Sequence, residues 1–550
     1  MTVPSTTPAA PTPSHSLPRL LRSLRSHRRA WIALLAAGLA VALAAQSTKI
    51  SEPSYAAAER GERNDGRGRG LSDEEGWGEF PPLPPLEDRR RLWPPELDDP
   101  ICSSKIFVYD LPPSLRLPEE TVSQCRWSAY NSELLLHKLL VEPPTASPIP
   151  LDHPHYTLFT SNPREADFFF IPLFPACYLF DCWVKAGWTK TERCAVDSSY
   201  IQPVMQHIRG AHPFWNASGG ADHLLVHPMD YVDGYYTSPS RAAMNASTYL
   251  VTVGDVRPAP YGQHFRSAQD IVVPSSTHIL NSYYVNPLDW LDGEGHPLAH
   301  PRGTQHPDRH VDVLPTYTEI FNSSPNPPLR GVLPPLRAFL RRAVGLSPTP
   351  LTRKNRTTLA IFRGGVGTPT DGESYALKIR SLFFPSDGNS SAPPFSSTPH
   401  RGFSSLPSFD IALSSPSNQD YATRLSRSRF GLAPPGYTLD TTRLYEYLAF
   451  GVVPVFIGTG PRAGQVLPFA KDVDWEGMSV FVPRERAHEV PKILGEIGEE
   501  DYERMRRKVW EEGRKVVLEG REGNVWKLIA RELCRRKRIG LAPGAEIANN

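Results

Sequence analysis

Excess charge is what this chain most plainly lacks. Over 550 residues it carries 60 Lys and Arg against 58 Asp and Glu, a formal net charge of +2. There is no basic surplus to draw a nucleic-acid backbone, so no nucleic-acid partner is expected. Cysteine is scarce too, with six residues: Cys102, Cys125, Cys177, Cys182, Cys194 and Cys534. No two of them form a C-x-x-C pair, which argues against a structural zinc site. An internal repeat is also absent, which excludes solenoid and propeller arrays. What remains suits large folded cores, since hydrophobic residues make up 40% and aromatic residues 10%. At roughly 150 residues per domain, the length predicts two to four units.

One long apolar run is present, Ala30 to Ala45, with Arg19, Arg22, Arg25, Arg28 and Arg29 before it and Lys49 after it. Extended through Thr48 it reaches the length of a short membrane span. The positive flank predicts a cytoplasmic tail (1–29), a transmembrane signal-anchor (30–48) and a body on the far side. Ala42-Leu43-Ala44 also fits a signal-peptide cleavage site, and the Arg and Ser content before it fits a transit peptide, so those readings stay open. Five Asn-x-Ser/Thr sequons, at Asn216, Asn245, Asn322, Asn355 and Asn389, all lie beyond the run. With an even cysteine count they point to the secretory pathway, where disulfides form. Five of the six cysteines precede residue 195, so bridges would mostly staple the first half. Residues 49–100 are dense in charge, Gly and Pro, which predicts a disordered stem.

The folded body opens at Lys105 to Leu111, a β-branched and aromatic run closed by Pro112-Pro113. Asp167 to Pro172, Ala221 to Pro228 and Ile271 to Pro274 are further strand candidates. The longer runs are continuously apolar, as in strands buried on both faces. Helical spacing at Ser128 to Val141 and Ser199 to His212 alternates with them, giving an α/β unit with a mainly parallel sheet over 101–345. A second unit, 346–538, starts at the strand TLAIFRGG and continues through Ile411 to Leu413, Phe430 to Ala433 and Val452 to Ile457. Residues 539–550 form a tail.

Ser428 to Gly458 carries the clearest chemistry. A strand leads into a turn at Pro434-Pro435-Gly436, then a helix holding Arg443 and Glu446 on one face, then a buried strand. Gly436 would let backbone approach a ligand, Thr438, Thr441 and Thr442 offer hydroxyls, Arg443 a bidentate fork, and Glu446 an acceptor for a diol. An ordinary i, i+3 ion pair on an amphipathic helix explains the same residues equally well.

Resemblance separates the two readings. S-x-F-x-L-x-P-x-G-Y, T-x-R-L-Y-E, G-V-V-P-V-F-I and Val466-Leu467-Pro468-Phe469 resemble the signature of the exostosin-like glycosyltransferases, family 47, of plant and algal cell-wall synthesis. IFVYDLP near residue 106, EADFFFIP from Glu165, FWNASGGADHLLVHPMD from Phe214 and Gln269 to Pro274 match further family segments in order, so the likeness spans roughly 102–535. It implies a GT-B fold, two Rossmann-like domains facing a cleft, and an inverting enzyme with no obligatory metal or other cofactor. The donor, a UDP-sugar by expectation, would lie in the second domain. Arg443 would sit near its diphosphate and Glu446 near its ribose, with Gly436, Tyr437, Thr441 and Arg363 also donor-binding. A surface Arg in a turn is an equal reading of Arg363. Asp472-Val473-Asp474 follows the Leu-Pro-Phe segment and reads as structural. Three positions depart from the pattern: Gly431 and Ala433 stand where Cys is common, and Pro435 where a basic residue is common.

An inverting transfer needs a base to deprotonate the acceptor hydroxyl. The first domain offers Asp230, with His227 as runner-up; Asp222-His223 and Asp230 itself also read as loop-holding groups, the commoner use, and Glu165 and Asp167 as caps of the turn before a strand. The expected enzyme is therefore a single-pass type II Golgi membrane protein with a lumenal body. It would act on a polysaccharide or glycoprotein acceptor in cell-wall or extracellular glycan synthesis, and would be open to complexes with other glycosyltransferases. Its rivals are a catalytically silent scaffold for another transferase and, if the apolar run is cleaved, a secreted carbohydrate-binding protein.

Overall fold

The computed structural model describes residues 104–125, 131–141, 158–186, 194–228, 236–258, 264–277, 279–280, 285, 287–298, 356–367, 375–386, 401–518 and 525–538. The expected tail, span and stem lie outside the described residues. Among the described residues no helix is long and apolar enough to cross a membrane.

The first half builds a six-stranded sheet from β1 (Ile106–Val108), β2 (Phe159–Thr160), β3 (Phe168–Phe170), β4 (His223–His227), β5 (Thr248–Val251) and β7 (Ile271–Val272). Its order is β2-β1-β3-β4-β5-β7, with every pairing parallel. The apolar runs of β3 and β4 fall at its centre, where helices cover both faces. Side chains alternate as strand geometry requires: Phe170, Leu224, Val226 and Leu250 enter one core, and Phe169, Leu225, Tyr249 and Val251 the other. The helices of this half include α1 (Glu119–Cys125), α2 (Ser132–Val141), α3 (Pro175–Lys185) and α4 (Gln202–Ala211). Disulfides join Cys125 of α1 to Cys177 of α3, and Cys182 to Cys194.

The second half builds a five-stranded parallel sheet, β8 (Thr358–Arg363), β9 (Phe409–Ala412), β10 (Ser428–Ala433), β11 (Val453–Ile457) and β13 (Val480–Val482), in the order β13-β11-β10-β8-β9. Its helices include α5 (Asn418–Ser426), α6 (Arg443–Ala449), α7 (Glu499–Glu511) and α8 (Val525–Arg538). Both sheets start alike. The chain leaves the first strand for a neighbour on one side (β2, β9) and returns to the other side (β3, β10). Strand order therefore reverses at β1/β3 and at β8/β10, and such switch points open crevices at the carboxyl ends of parallel strands.

The halves are tied together. β6 (Gly254–Asp255) pairs antiparallel with β12 (Gln465–Val466). The buried Arg356 guanidinium donates to the carbonyls of Ser428 at 2.6 Å, Gly295 at 3.0 Å and Phe450 at 2.9 Å. Helix α8 packs back on the first sheet: the Trp526 indole N–H donates to Leu136 O at 2.8 Å and its ring meets Phe170 edge-on at 5.9 Å. Cys534 of the same helix is disulfide-bonded.

Candidate functional site

Two guanidiniums converge at the β8/β10 switch point. Arg443, the first residue of α6, reaches back over the end of β8, where its Nε–H donates to Arg363 O. Its guanidinium lies 5.4 Å from the Phe362 ring centroid. Arg380 approaches from the segment Tyr375–Phe383, its guanidinium 5.6 Å from the same ring. Nη1 of Arg380 donates to Gly365 O at 3.1 Å and to the Tyr375 hydroxyl at 2.8 Å. Arg380 is 5% exposed, and its Nε has no partner. Burial pushes this guanidinium down to about 10, and the Arg443 charge adds to the effect. Neither arginine forms a salt bridge among the described residues. Two fixed cations with no carboxylate between them are suited to a multiply charged anion such as a diphosphate.

The glycine that this arrangement requires is Gly364. A Cβ there would sit 2.6 Å from Nη2 of Arg443. A Cβ on Gly436 would meet only Nη2 of Arg380, at an ordinary 3.6 Å, so the protein itself does not crowd this turn. The role of Gly436 is in the turn, where its carbonyl accepts from Ala376 N–H at 2.9 Å. Helix α6 has only seven residues, so the side-chain cations dominate any effect of its dipole.

Glu446 lies one turn from Arg443 but makes no ion pair with it among the described residues. Its Oε2 accepts from the Tyr421 hydroxyl at 2.7 Å, and the backbone N–H of Ile279 also bonds the carboxyl. The carboxyl is 5% exposed; burial raises its pKa, and the Arg443 charge and these two bonds oppose the rise. The helix face thus holds a cation and a carboxylate with separate partners. Tyr437 is exposed and meets Tyr375 edge-on at 4.8 Å, an aromatic pair beside the arginines. Thr441 is buried, and its carbonyl accepts from Leu444 N–H as the helix begins.

Arg363 is elsewhere. Its side chain turns sideways onto β9 and donates to Asp410 Oδ1 at 2.6 Å, Asp410 O at 2.7 Å, Phe362 O at 2.9 Å and Ser415 Oγ at 3.0 Å. Its donors serve the sheet, while its carbonyl holds Arg443.

The base candidates divide. Asp230 lies outside the described residues. His227, at the carboxyl end of β4, is 2% exposed, hydrogen-bonded to the Tyr236 hydroxyl at 2.6 Å, and pushed down to about 3 by burial. Enclosed and bonded to Tyr236, the His227 imidazole meets no open surface in this structure. Asp222 and His223 bond each other at 2.6 Å at the amino end of β4, away from the carboxyl edge. Asp167 accepts from Lys105 N–H, and Glu165 from the Asn162 side chain. Asp472 pairs with Arg535, and Asp474 caps the helix Trp475–Met478, so both aspartates hold structure. Asn216 and Asn245 are exposed, while Asn322, Asn355 and Asn389 lie outside the described residues.

One family departure, Gly431, has a packing reason. A Cβ on Gly431 would fall 2.4 Å from the Tyr447 ring, which fills the space a larger side chain would take. Ala433 is buried beside it on the same strand. Sequence reasoning missed Arg380 because no motif surrounds it. The available signal was a cation following a run of small and polar residues shortly after the β8 glycines.

Comparison with known proteins agrees on the family. The sequence model of the exostosin GT47 domain matches residues 102–297 and 313–497. A probable glucuronosyltransferase of Oryza sativa subsp. japonica, GUT1, is 24% identical over 465 residues, covering 82% of this chain and 87% of its own. A probable beta-1,4-xylosyltransferase of Arabidopsis thaliana, IRX10, is 24% identical over 415 residues, covering 74% of this chain and 76% of its own. A solved Anabaena structure, HepE with UDP and glucose, covers 80% of this chain and 99% of its own at 8% identity and TM-score 0.27, too distant to carry an argument.

Proposed function

The chain belongs to the exostosin GT47 domain family of glycosyltransferases, and from that premise we propose an inverting GT-B enzyme that moves a sugar from UDP to a glycan or glycoprotein hydroxyl. The observation that carries the donor assignment is the pair Arg380 and Arg443 laid across Phe362, neither of them in a salt bridge among the described residues. As the glycosidic bond breaks, negative charge builds on the departing diphosphate, and the two guanidiniums stand fixed to stabilise it. Glu446, oriented by Tyr421 and Ile279, accepts from the ribose hydroxyls. Tyr375 and Tyr437 offer an aromatic face to the base. Arg363 supports the site through its carbonyl. The acceptor hydroxyl loses its proton to Asp230, attacks the anomeric carbon from the face opposite UDP, and inverts it. With two cations in place, this reading needs no resident metal.

The same reading places the body in the Golgi lumen behind the span 30–48, with glycans on exposed Asn216 and Asn245. The relatives' names make UDP-glucuronate and UDP-xylose the first donors to try. The silent-scaffold alternative draws on Pro435, Gly431 and Ala433, but the arginine pair is intact. A transfer and hydrolysis assay over a panel of UDP-sugars, with Arg443→Ala and Glu446→Ala, tests the reading. Loss of turnover in both variants is expected, and wild-type turnover in both would remove the site assignment.

A further inference from the structure

The first sheet has a switch point of its own, at β1/β3, and a cavity of about 240 Å³ opens there. Its wall combines Asp110 and Arg116 from the chain leaving β1, Phe159 of β2, Phe174 after β3, Tyr200, and His137 from α2. All of these but His137 and Tyr200 come from the carboxyl edge of the sheet or its neighbouring strand. That edge meets the donor half: past β7, Ser275 Oγ–H donates to Asp440 at 2.5 Å and Ile279 N–H bonds Glu446.

His137 is the unusual member. It is 8% exposed, stacks on Phe170 at 5.9 Å and meets Phe174 edge-on at 5.5 Å. Its ring nitrogens have no hydrogen-bond partner among the described residues. An imidazole that lines a cavity and makes no bond to the surrounding protein offers its nitrogens to water or to a ligand there. Burial also pushes it down to about 4, so the ring is neutral at physiological pH and can accept from a hydroxyl as well as donate to one.

We infer that the acceptor glycan seats a terminal neutral sugar ring in this cavity, with a ring hydroxyl hydrogen-bonded to His137. The inference rests on the glycosyltransferase reading and specifies its acceptor side. The volume lies below the roughly 300–1,000 Å³ of pockets for drug-sized ligands, which matches one pyranose or furanose ring. Phe159, Phe174 and Tyr200 give the lining aromatic carbon of the kind that packs against the C–H groups of a sugar. Charge selects against a uronic acid. Asp110 and Arg116 pair at 2.6 Å at the mouth, and Arg116 also donates to Leu111 O, so this cation is already engaged. The Asp110 carboxylate, whose side chain is 89% exposed, can still accept from a hydroxyl.

Saturation-transfer NMR on the full chain with UDP present tests this, using methyl β-D-xylopyranoside, methyl β-D-galactopyranoside and methyl β-D-glucopyranosiduronate as probes. The neutral glycosides should bind and the uronate should not. His137→Leu should raise the neutral-glycoside Kd roughly 2- to 10-fold, the worth of one hydrogen bond. Asp110→Asn, at an exposed position that does not threaten folding, should raise it by a smaller factor and decides the matter if His137→Leu fails to fold. Unchanged affinity in the variants, or tighter binding of the uronate, overturns the inference. The UDP signals in the same samples report the donor half separately. Their dependence on Arg443 stands or falls whatever the glycosides do.

Discussion

Gly364→Ala isolates the position of the Arg443 charge from its presence. The glycine φ is not in the left-handed region, so alanine fits the backbone, and the new Cβ meets mainly the far end of a flexible side chain, 2.6 Å from Nη2 and 2.9 Å from Cζ of Arg443. The guanidinium must swing away while the fold loses little. Restricting the unfolded chain even offsets part of the strain, by about 0.4–1 kcal/mol. A hydrogen bond to a charged partner contributes about 1.5–3 kcal/mol. At about 1.4 kcal/mol per tenfold, misplacing the fork should weaken UDP binding roughly 10- to 150-fold. Isothermal titration of UDP into wild type, Gly364→Ala and Arg443→Ala measures this, with a thermal melt as the folding control. The two variants should fall together. A Gly364→Ala protein that melts like wild type and binds UDP within twofold of it would refute the placement of Arg443.

Arg363→Ala should behave in the opposite way: losing its part-buried pair with Asp410, which keeps Arg424 as a second partner, costs about 1.5–3 kcal/mol of stability, seen in urea unfolding, yet leaves UDP affinity within about twofold in protein that stays folded. Trp526→Ala removes a ring that is 1% exposed and joins α8 to the first sheet, and should cost about 3–5 kcal/mol by the same assay. Acidification should destabilise the protein through its buried histidines. His227 and His137 are held down to about 3 and about 4, so their contribution is complete above the unfolded value of about 6.5 and is lost as pH falls below it. Unfolding free energies from urea titrations at pH 7, 6 and 5 should fall by up to about 1.4 kcal/mol per pH unit for each histidine, and His227→Gln should flatten the slope.

Much of the fold is legible in the sequence because buried parallel strands are written as unbroken apolar runs. FFF of β3, HLLVH of β4 and VPVFI of β11 stand out for that reason. β5 does not, since its TYLV follows a sequon and is too short to show a period, and two-residue β2 leaves no pattern at all. The packing of α8 on the first sheet is a tertiary fact with no local signal. At the site, Arg443 and Glu446 are legible because one helix carries both. Arg363 misleads because a strand-end position says nothing of which way the side chain turns, and here Asp410 on β9 captures it. Arg380 and His137 are invisible for a shared reason: each becomes notable only when the fold brings it to a switch point.

Hydrogen–deuterium exchange of the full chain with and without saturating UDP tests the central claim, that the donor binds at the β8/β10 switch point. Protection should appear at Gly364–Gly365, across Tyr375–Phe383 and from Pro434 through Glu446. Protection confined to the first sheet, or none at saturating UDP, would contradict it.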